Sequence, residues 1–304
     1  MNKVIITGAN GFIGSSLVKR ILKSDVEVYA IDIDFSLNRL PQSPRVHCIE
    51  SGLDDKEKLV SLLEQAKGSD AFYHLAWRGV NGPDKANPAI QLDNTKMALD
   101  CATVAKALEC KKFLCAGTVA EQSVHSLNGL EKTSGGMVYA VAKHCTHLML
   151  ETYCKNIGLP FVWMQFSNSY GIGNKTGNLV SYTLGELMEG REPSFGPAEQ
   201  PYDFIFIDDL LEAVFRLGDR ETKQNFYFIG SGNPRILKEY LLEIGKLAGR
   251  RDAVKIGLRP DDGIRYDFGM FNTDSLRKDI GDYVSMPFEE GIKKTINWLK
   301  TIEQ

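Results

Sequence analysis

The sequence predicts an α/β fold, a parallel sheet with helices on both faces followed by a smaller C-terminal α/β region. Two observations predict it. Short β-branched runs alternate with helical patterns through the first half, and the first of these runs opens into a glycine-rich turn. Parallel strands joined through helices need a crossover at every step, and the crossovers cover both sheet faces.

Residues 3–7 read as the first strand, 12–23 as a helix and 26–32 as the second strand. Further strands are expected at 71–75, 112–116 and 160–166, with long helices at 90–108 and 138–156. After Asn168, Gly, Asn and Pro become frequent, as in Tyr170-Gly171-Ile172-Gly173-Asn174 and Gly230-Ser231-Gly232-Asn233-Pro234. Helices continue at 208–217 and 235–247 with looser connections. The division expected is a dinucleotide-binding unit at 1–168 and a mainly substrate-binding region at 169–304. Within the latter, about 202–217 should return to the first unit's core.

With 304 residues and 43% hydrophobic content, the chain can bury a full core. A net charge of -3 offers no basic face, which speaks against nucleic acid and anionic membranes as partners. The six cysteines are scattered without a C-x-x-C, and most lie in apolar runs, so a reducing cytoplasm is expected. Neither a leader ahead of Val4 nor an apolar run of about 18 residues suggests export or a membrane span.

The opening reads Lys3-Val-Ile-Ile-Thr-Gly8-Ala-Asn-Gly11-Phe-Ile-Gly14. Glycines at steps of three between a strand and a helix let the backbone approach a pyrophosphate, which the helix N-terminus attracts. The second strand ends in Asp32, about 20 residues on, where a carboxylate can accept from the adenosine ribose hydroxyls. This is a Rossmann-type dinucleotide site. Asp32 would repel a 2′-phosphate, so NAD is expected rather than NADP.

From the spacing Gly-x-x-Gly-x-x-Gly onward, the sequence resembles the extended short-chain dehydrogenase/reductase family. Its members include NAD-dependent nucleotide-sugar epimerases, dehydratases and reductases. The resemblance runs through nearly the whole chain. Tyr73-His74-Leu75-Ala76 is similar to the motif beside the cofactor, and Asn94 to the structural asparagine. Tyr139-Ala-Val-Ala-Lys143 matches the catalytic Tyr-x-x-x-Lys. Phe166-Ser-Asn168-Ser-Tyr-Gly171, Asp203-Phe-Ile-Phe-Ile-Asp208-Asp209 and Arg259-Pro260-Asp261 resemble later segments. In these, Asn168 and Arg259 would hold the substrate diphosphate.

The resemblance implies a cofactor site at Gly8, Gly11, Phe12, Ile13, Gly14, Asp32, Leu53, Leu75, Ala76 and Lys143. It implies catalysis by Tyr139, Lys143 and Thr118, a nucleotide-diphosphate sugar as substrate, and a homodimer paired through the helices that carry Asn94 and Tyr139. The chain also departs from the family. Gln122 replaces a common tyrosine after the fifth strand, Gly52 replaces an acid near the adenine, and Tyr202 replaces an arginine.

Hydride exchange at a sugar carbon requires a proton to move on or off the attached oxygen. A phenol near pKa 10 is a poor base at neutral pH unless nearby positive charge favours the phenolate. Tyr139 and Lys143 share a helix face at i and i+4, so Lys143 is expected to supply that charge. Thr118 would orient the sugar oxygen.

A 4,6-dehydratase would resemble its kin in an Asp-Glu pair after Thr118, where this chain has Val119 and Ala120. A 3,5-epimerase-reductase would carry a cysteine at Ala120. A 4-epimerase and a 4-ketoreductase both remain open. A non-catalytic NAD-binding regulator on the same fold is the competing class, but such proteins usually lose the tyrosine or lysine that this chain keeps.

His144, His147 and Glu151 are not expected to bind a metal and read as the outer face of the helix or an interface. Trp77 lines the site or packs beneath it.

Overall fold

The computed structural model describes residues 1–129, 134–174, 176–261 and 266–302. Its centre is a parallel sheet built from β1 (Lys3–Thr7), β2 (Glu27–Asp32), β3 (Val46–Glu50), β4 (Ala71–His74), β5 (Phe113–Thr118), β6 (Phe161–Phe166) and β7 (Phe226–Ile229). The strand order is β7-β6-β5-β4-β1-β2-β3, so the chain reverses direction across the sheet between β1 and β4. Ligands of open α/β sheets bind at that reversal, outside the carboxyl ends of the strands.

Alternation along β1 assigns the two faces. Val4 and Ile6 point into one core with Leu17, Val18 and Ile21 of α1 (Phe12–Ile21), while Ile5 points into the other. The second core is closed by α2 (Lys56–Leu62), α3 (Pro88–Ala107) and α4 (Gly136–Ile157). Asn87 caps α3 by accepting from the amides of Ala89 and Ile90, and Pro88 follows at a position that needs no N–H. Lys143, Thr146, Leu150 and Cys154 form the buried stripe of α4 at helical spacing.

Beyond β6 the chain forms α5 (Leu179–Met188), α6 (Ile207–Asp219), α7 (Leu237–Leu247), α8 (Asp274–Ile280) and α9 (Phe288–Ile302). Short strand pairs join Asn168–Tyr170 to Phe204–Phe206 and Pro201–Tyr202 to Arg235–Ile236. The span expected as a helix at 235–247 thus begins as a two-residue strand. α6 lies on the first core beside α1, and Tyr170, Val180, Phe204 and Tyr240 extend that core without a break. β7, a run of three aromatics and an isoleucine that was not among the expected strands, also returns to the sheet beside β6. Among the described residues no helix is long and apolar enough to cross a membrane.

Candidate active site

The glycine turn forms because side chains do not fit there. Gly8 has φ +70°, and a Cβ on it would lie 2.7 Å from the amide nitrogen of Ala76. A Cβ on Gly14 would lie 2.1 Å from the carbonyl oxygen of Gly8. The turn therefore holds β1, α1 and the end of β4 in close contact and leaves the start of α1 open to the cleft. Asp32 braces it, accepting from the Asn10 amide at 2.8 Å and from the Ile33 amide at 2.8 Å.

The cleft above this turn is lined by Gly8, Gly11, Phe12, Ile13, Gly14, Leu75, Thr118, Tyr139 and Asn168, together with Trp77. Most of the residues expected from the sequence thus meet at one place. Asp32, Leu53, Ala76 and Lys143 stand outside this lining, Leu53 being buried in the α3 and α4 core and Ala76 packed against it. Gly52 precedes Leu53, and a Cβ there would lie 2.7 Å from a carboxylate oxygen of Asp54. Asp54 thus folds back over Gly52. Arg259 lines an adjoining cleft with Tyr202 and Gln200, and Leu179 borders both clefts. The Arg259 guanidinium donates to the Tyr182 hydroxyl at 2.6 Å and to the Ser194 hydroxyl at 3.0 Å. The Asn168 amide oxygen accepts from the Tyr202 hydroxyl at 2.9 Å.

At the chemical end, Tyr139 and Thr118 line the cleft together, and the Thr118 hydroxyl oxygen accepts from the Ala120 amide at 3.3 Å. Lys143 is buried below, its ammonium donating to the Ala116 carbonyl at 2.7 Å and lying 3.6 Å from the centre of the Trp77 ring. Burial pushes the Tyr139 phenol above its ordinary range and pulls the Lys143 ammonium down. The expected lowering of Tyr139 by Lys143 is not among its causes; only the Thr118 side chain opposes the burial, and Glu121 adds to it.

Trp77 both lines the cleft and is fixed from behind, donating to Gln91 at 2.8 Å. Asn94 clasps the same loop, accepting from the Arg78 amide at 2.9 Å and donating to its carbonyl at 2.8 Å. Gln91 was not singled out from the sequence. Its place one helical turn before Asn94 was the available signal.

His144, His147 and Glu151 do not all converge: His147 Nε2 lies 3.7 Å from Glu151, and His144 turns elsewhere. The His144 ring meets His125 edge-on, while His147 stacks on Trp163 and Phe226. The outer-face expectation therefore fails for His147, which α4 turns onto the sheet. Asp203 and Asp209 also turn inward. Asp203 accepts from the Ser231 amide at 2.8 Å, and Asp209 from Ser285 and Met286 at 3.0 Å each.

A sequence model of the NAD dependent epimerase/dehydratase family matches residues 4–230. The chain belongs to this family. It is similar to a dTDP-glucose 4,6-dehydratase of Neisseria meningitidis serogroup B, 23% identical over 98% of this chain and 93% of that protein. Its fold matches the UDP-glucose 4-epimerase of Thermotoga maritima, solved with UDP-glucose, with TM-score 0.82 at 19% identity over 99% and 100% of the two chains. It also matches WbmH of Bordetella bronchiseptica, solved with NAD+, with TM-score 0.78 at 21% identity over 99% and 98%.

Proposed function

We propose that this enzyme of the epimerase/dehydratase family is a nucleotide-sugar 4-epimerase or 4-ketoreductase that uses Tyr139 as its acid/base. The observation that carries the reading is that Tyr139 and Thr118 meet in the cleft over the glycine turn. NAD fits that cleft, because Gly8, Gly11 and Gly14 leave a backbone cradle that any Cβ would fill or distort. When bound, the nicotinamide supplies the hydride acceptor or donor.

The turn with Phe12 and Ile13 would hold the pyrophosphate, and Asp32 the adenosine ribose, which favours NAD over NADP. Leu53, at the edge of the second core, would pack beside the adenine, and Leu75, Ala76 and Lys143 would meet the nicotinamide half. Thr118 positions the sugar 4-oxygen, and Tyr139 moves its proton while Lys143 keeps positive charge nearby. Asn168 and Arg259 would bind the diphosphate. A homodimer would form through α3 and α4, where Leu92, Leu148 and Met149 are exposed.

The dehydratase relatives make 4,6-dehydration the reaction to weigh against this. Val119 packs with Phe228 and Phe271, and Ala120 has no proton to give. Glu121, the next acid along, turns its carboxylate away from the cleft toward Trp163 and Gln165. Incubation with UDP-, dTDP-, CDP- and GDP-hexoses and their 4-keto forms, read by sugar NMR, tests the reading. The expected result is inversion or reduction at C4. No turnover of any of them overturns it.

A further inference from the structure

Glu121 is 1% exposed and opens no path to solvent, yet it is an acid. Burying a carboxylate costs several kcal/mol unless its oxygens are bonded and a cation is near. Both conditions are met behind the end of β5. One oxygen accepts from the Thr118 amide at 2.6 Å. The other accepts from the Trp163 indole N–H at 3.1 Å and the Gln165 amide at 3.4 Å. Gly117 makes room for this, since a Cβ there would lie 2.3 Å from the indole nitrogen and 2.7 Å from the carboxylate.

The groups facing Glu121 come from each neighbouring element. α4 presents Lys143 and Tyr139, β5 presents Cys115, and β6 presents Trp163 and Gln165. His147 stacks on the indole and is held neutral, its pKa pulled down to about 4 by burial. Lys143 is the cation in this set, its ammonium 6.0 Å from the centre of the Trp163 ring whose N–H bonds Glu121. The attraction is mutual: the ammonium favours the carboxylate and the carboxylate favours the ammonium.

We propose that Glu121 is a positioning residue, fixing Thr118 through its amide and holding Lys143 as an ammonium from behind the sheet. The proposal rests on the hydride-transfer reading above. Glu121 touches neither the cleft nor the reacting atoms. It acts through Thr118 and Lys143.

Two measurements test it. The first needs no substrate. The chain has three tryptophans, so its indole N–H signals are few, and that of Trp163 reports the charge on Glu121. In the wild type this signal should titrate with a midpoint above the ordinary carboxylate range. Glu121→Gln should abolish the step, while any step from His147 near pH 4 persists. Lys143→Met should move the Glu121 midpoint up by about one unit, the low end of what an opposite charge does. A Trp163 signal that does not titrate between about pH 5 and 9, or an unmoved midpoint in Lys143→Met, overturns the proposal even if Glu121→Gln does not fold.

The second is kinetic. Glu121→Gln should lower kcat about tenfold or more, part of the roughly 10²–10⁴ that a general acid/base supplies, with KM within about threefold. Because the carboxylate raises the pKa of both Lys143 and Tyr139, its loss should move the whole pH–rate profile to lower pH. A slower variant with an unmoved profile would make Glu121 merely structural. If the wild type turns over no nucleotide sugar, the hydride-transfer reading falls, and the Trp163 titration still decides whether Glu121 and Lys143 are coupled.

Discussion

Gly14 and Gly185 both lie inside helices, in α1 and α5, and replacing either by alanine should have opposite consequences. Alanine is favoured over glycine in a helix by about 0.8–1 kcal/mol, so with no other effect both variants gain. At Gly185 there is no other effect, because nothing lies within 4 Å of the added Cβ. At Gly14 the Cβ would sit 2.1 Å from the Gly8 carbonyl oxygen and 2.8 Å from the Ala9 Cα. Relief requires α1 to move off the turn by roughly 1 Å, and such overpacking costs about 1–3 kcal/mol. The net expectation is about 0.5–1 kcal/mol of gain for Gly185→Ala and a loss of up to about 2 kcal/mol for Gly14→Ala. Urea unfolding of the two variants beside the wild type measures both signs. The same displacement opens the cradle, so NAD titration should show Gly14→Ala weakened about tenfold or more, equivalent to about 1.4 kcal/mol. A Gly14→Ala protein as stable as the wild type, with unchanged NAD affinity, would refute the steric account of the turn.

Tyr139→Phe should keep the fold and lose roughly 10²–10⁴ in kcat, measured with whichever nucleotide sugar turns over. Arg259→Ala should raise KM for that substrate with a smaller effect on kcat, read from initial rates over a substrate series. His74 is buried, with one ring nitrogen bonded to Thr7 at 2.9 Å, and its pKa is pulled down to about 3 by burial and by Lys143. The unfolded chain takes up a proton near pH 6.5 and the folded chain does not. Stability therefore falls as pH drops from about 6.5 toward 3, by about 1.4 kcal/mol per unit for this group. His74→Asn should remove that part of the slope in urea unfolding at stepped pH, and an unchanged slope would show that His74 is protonated in the fold. Leu148→Glu, on the exposed face of α4, should convert a dimer to a monomer by light scattering.

The sheet and its cofactor turn were legible because their signals are local. A β-branched run, three spaced glycines and an acid closing the next strand state their own geometry within a short span. Tyr139 and Lys143 stood out for a different reason. One helical turn of spacing is ordinary by itself, and it was the dinucleotide turn before them, Thr118 and the resemblance to the family's Tyr-x-x-x-Lys that singled them out. What the sequence concealed depends on distant partners. β7 is four residues long and is a strand because β6 lies beside it. Glu121 lies three residues past the end of β5, where an acid ordinarily faces water, and the indole of Trp163 on the next strand and the absent side chain of Gly117 make room for it inside. His147 stands four residues from Lys143 and reads as solvent-facing until Trp163 and Phe226 are placed against it. Arg259 and Asn168 fall in neighbouring clefts rather than one, a separation set by loops whose paths no periodicity encodes.

The most direct test of the central claim follows a deuterium placed at C4 of the accepted nucleotide sugar, or on the nicotinamide C4 of NADH when the substrate is a 4-keto sugar. Hydride transfer at the 4-position should leave the label at C4 of the product, in the inverted sugar or the newly reduced one, with no loss of water. A 4-keto-6-deoxy product with the label at C6 would contradict the account and make the chain a dehydratase.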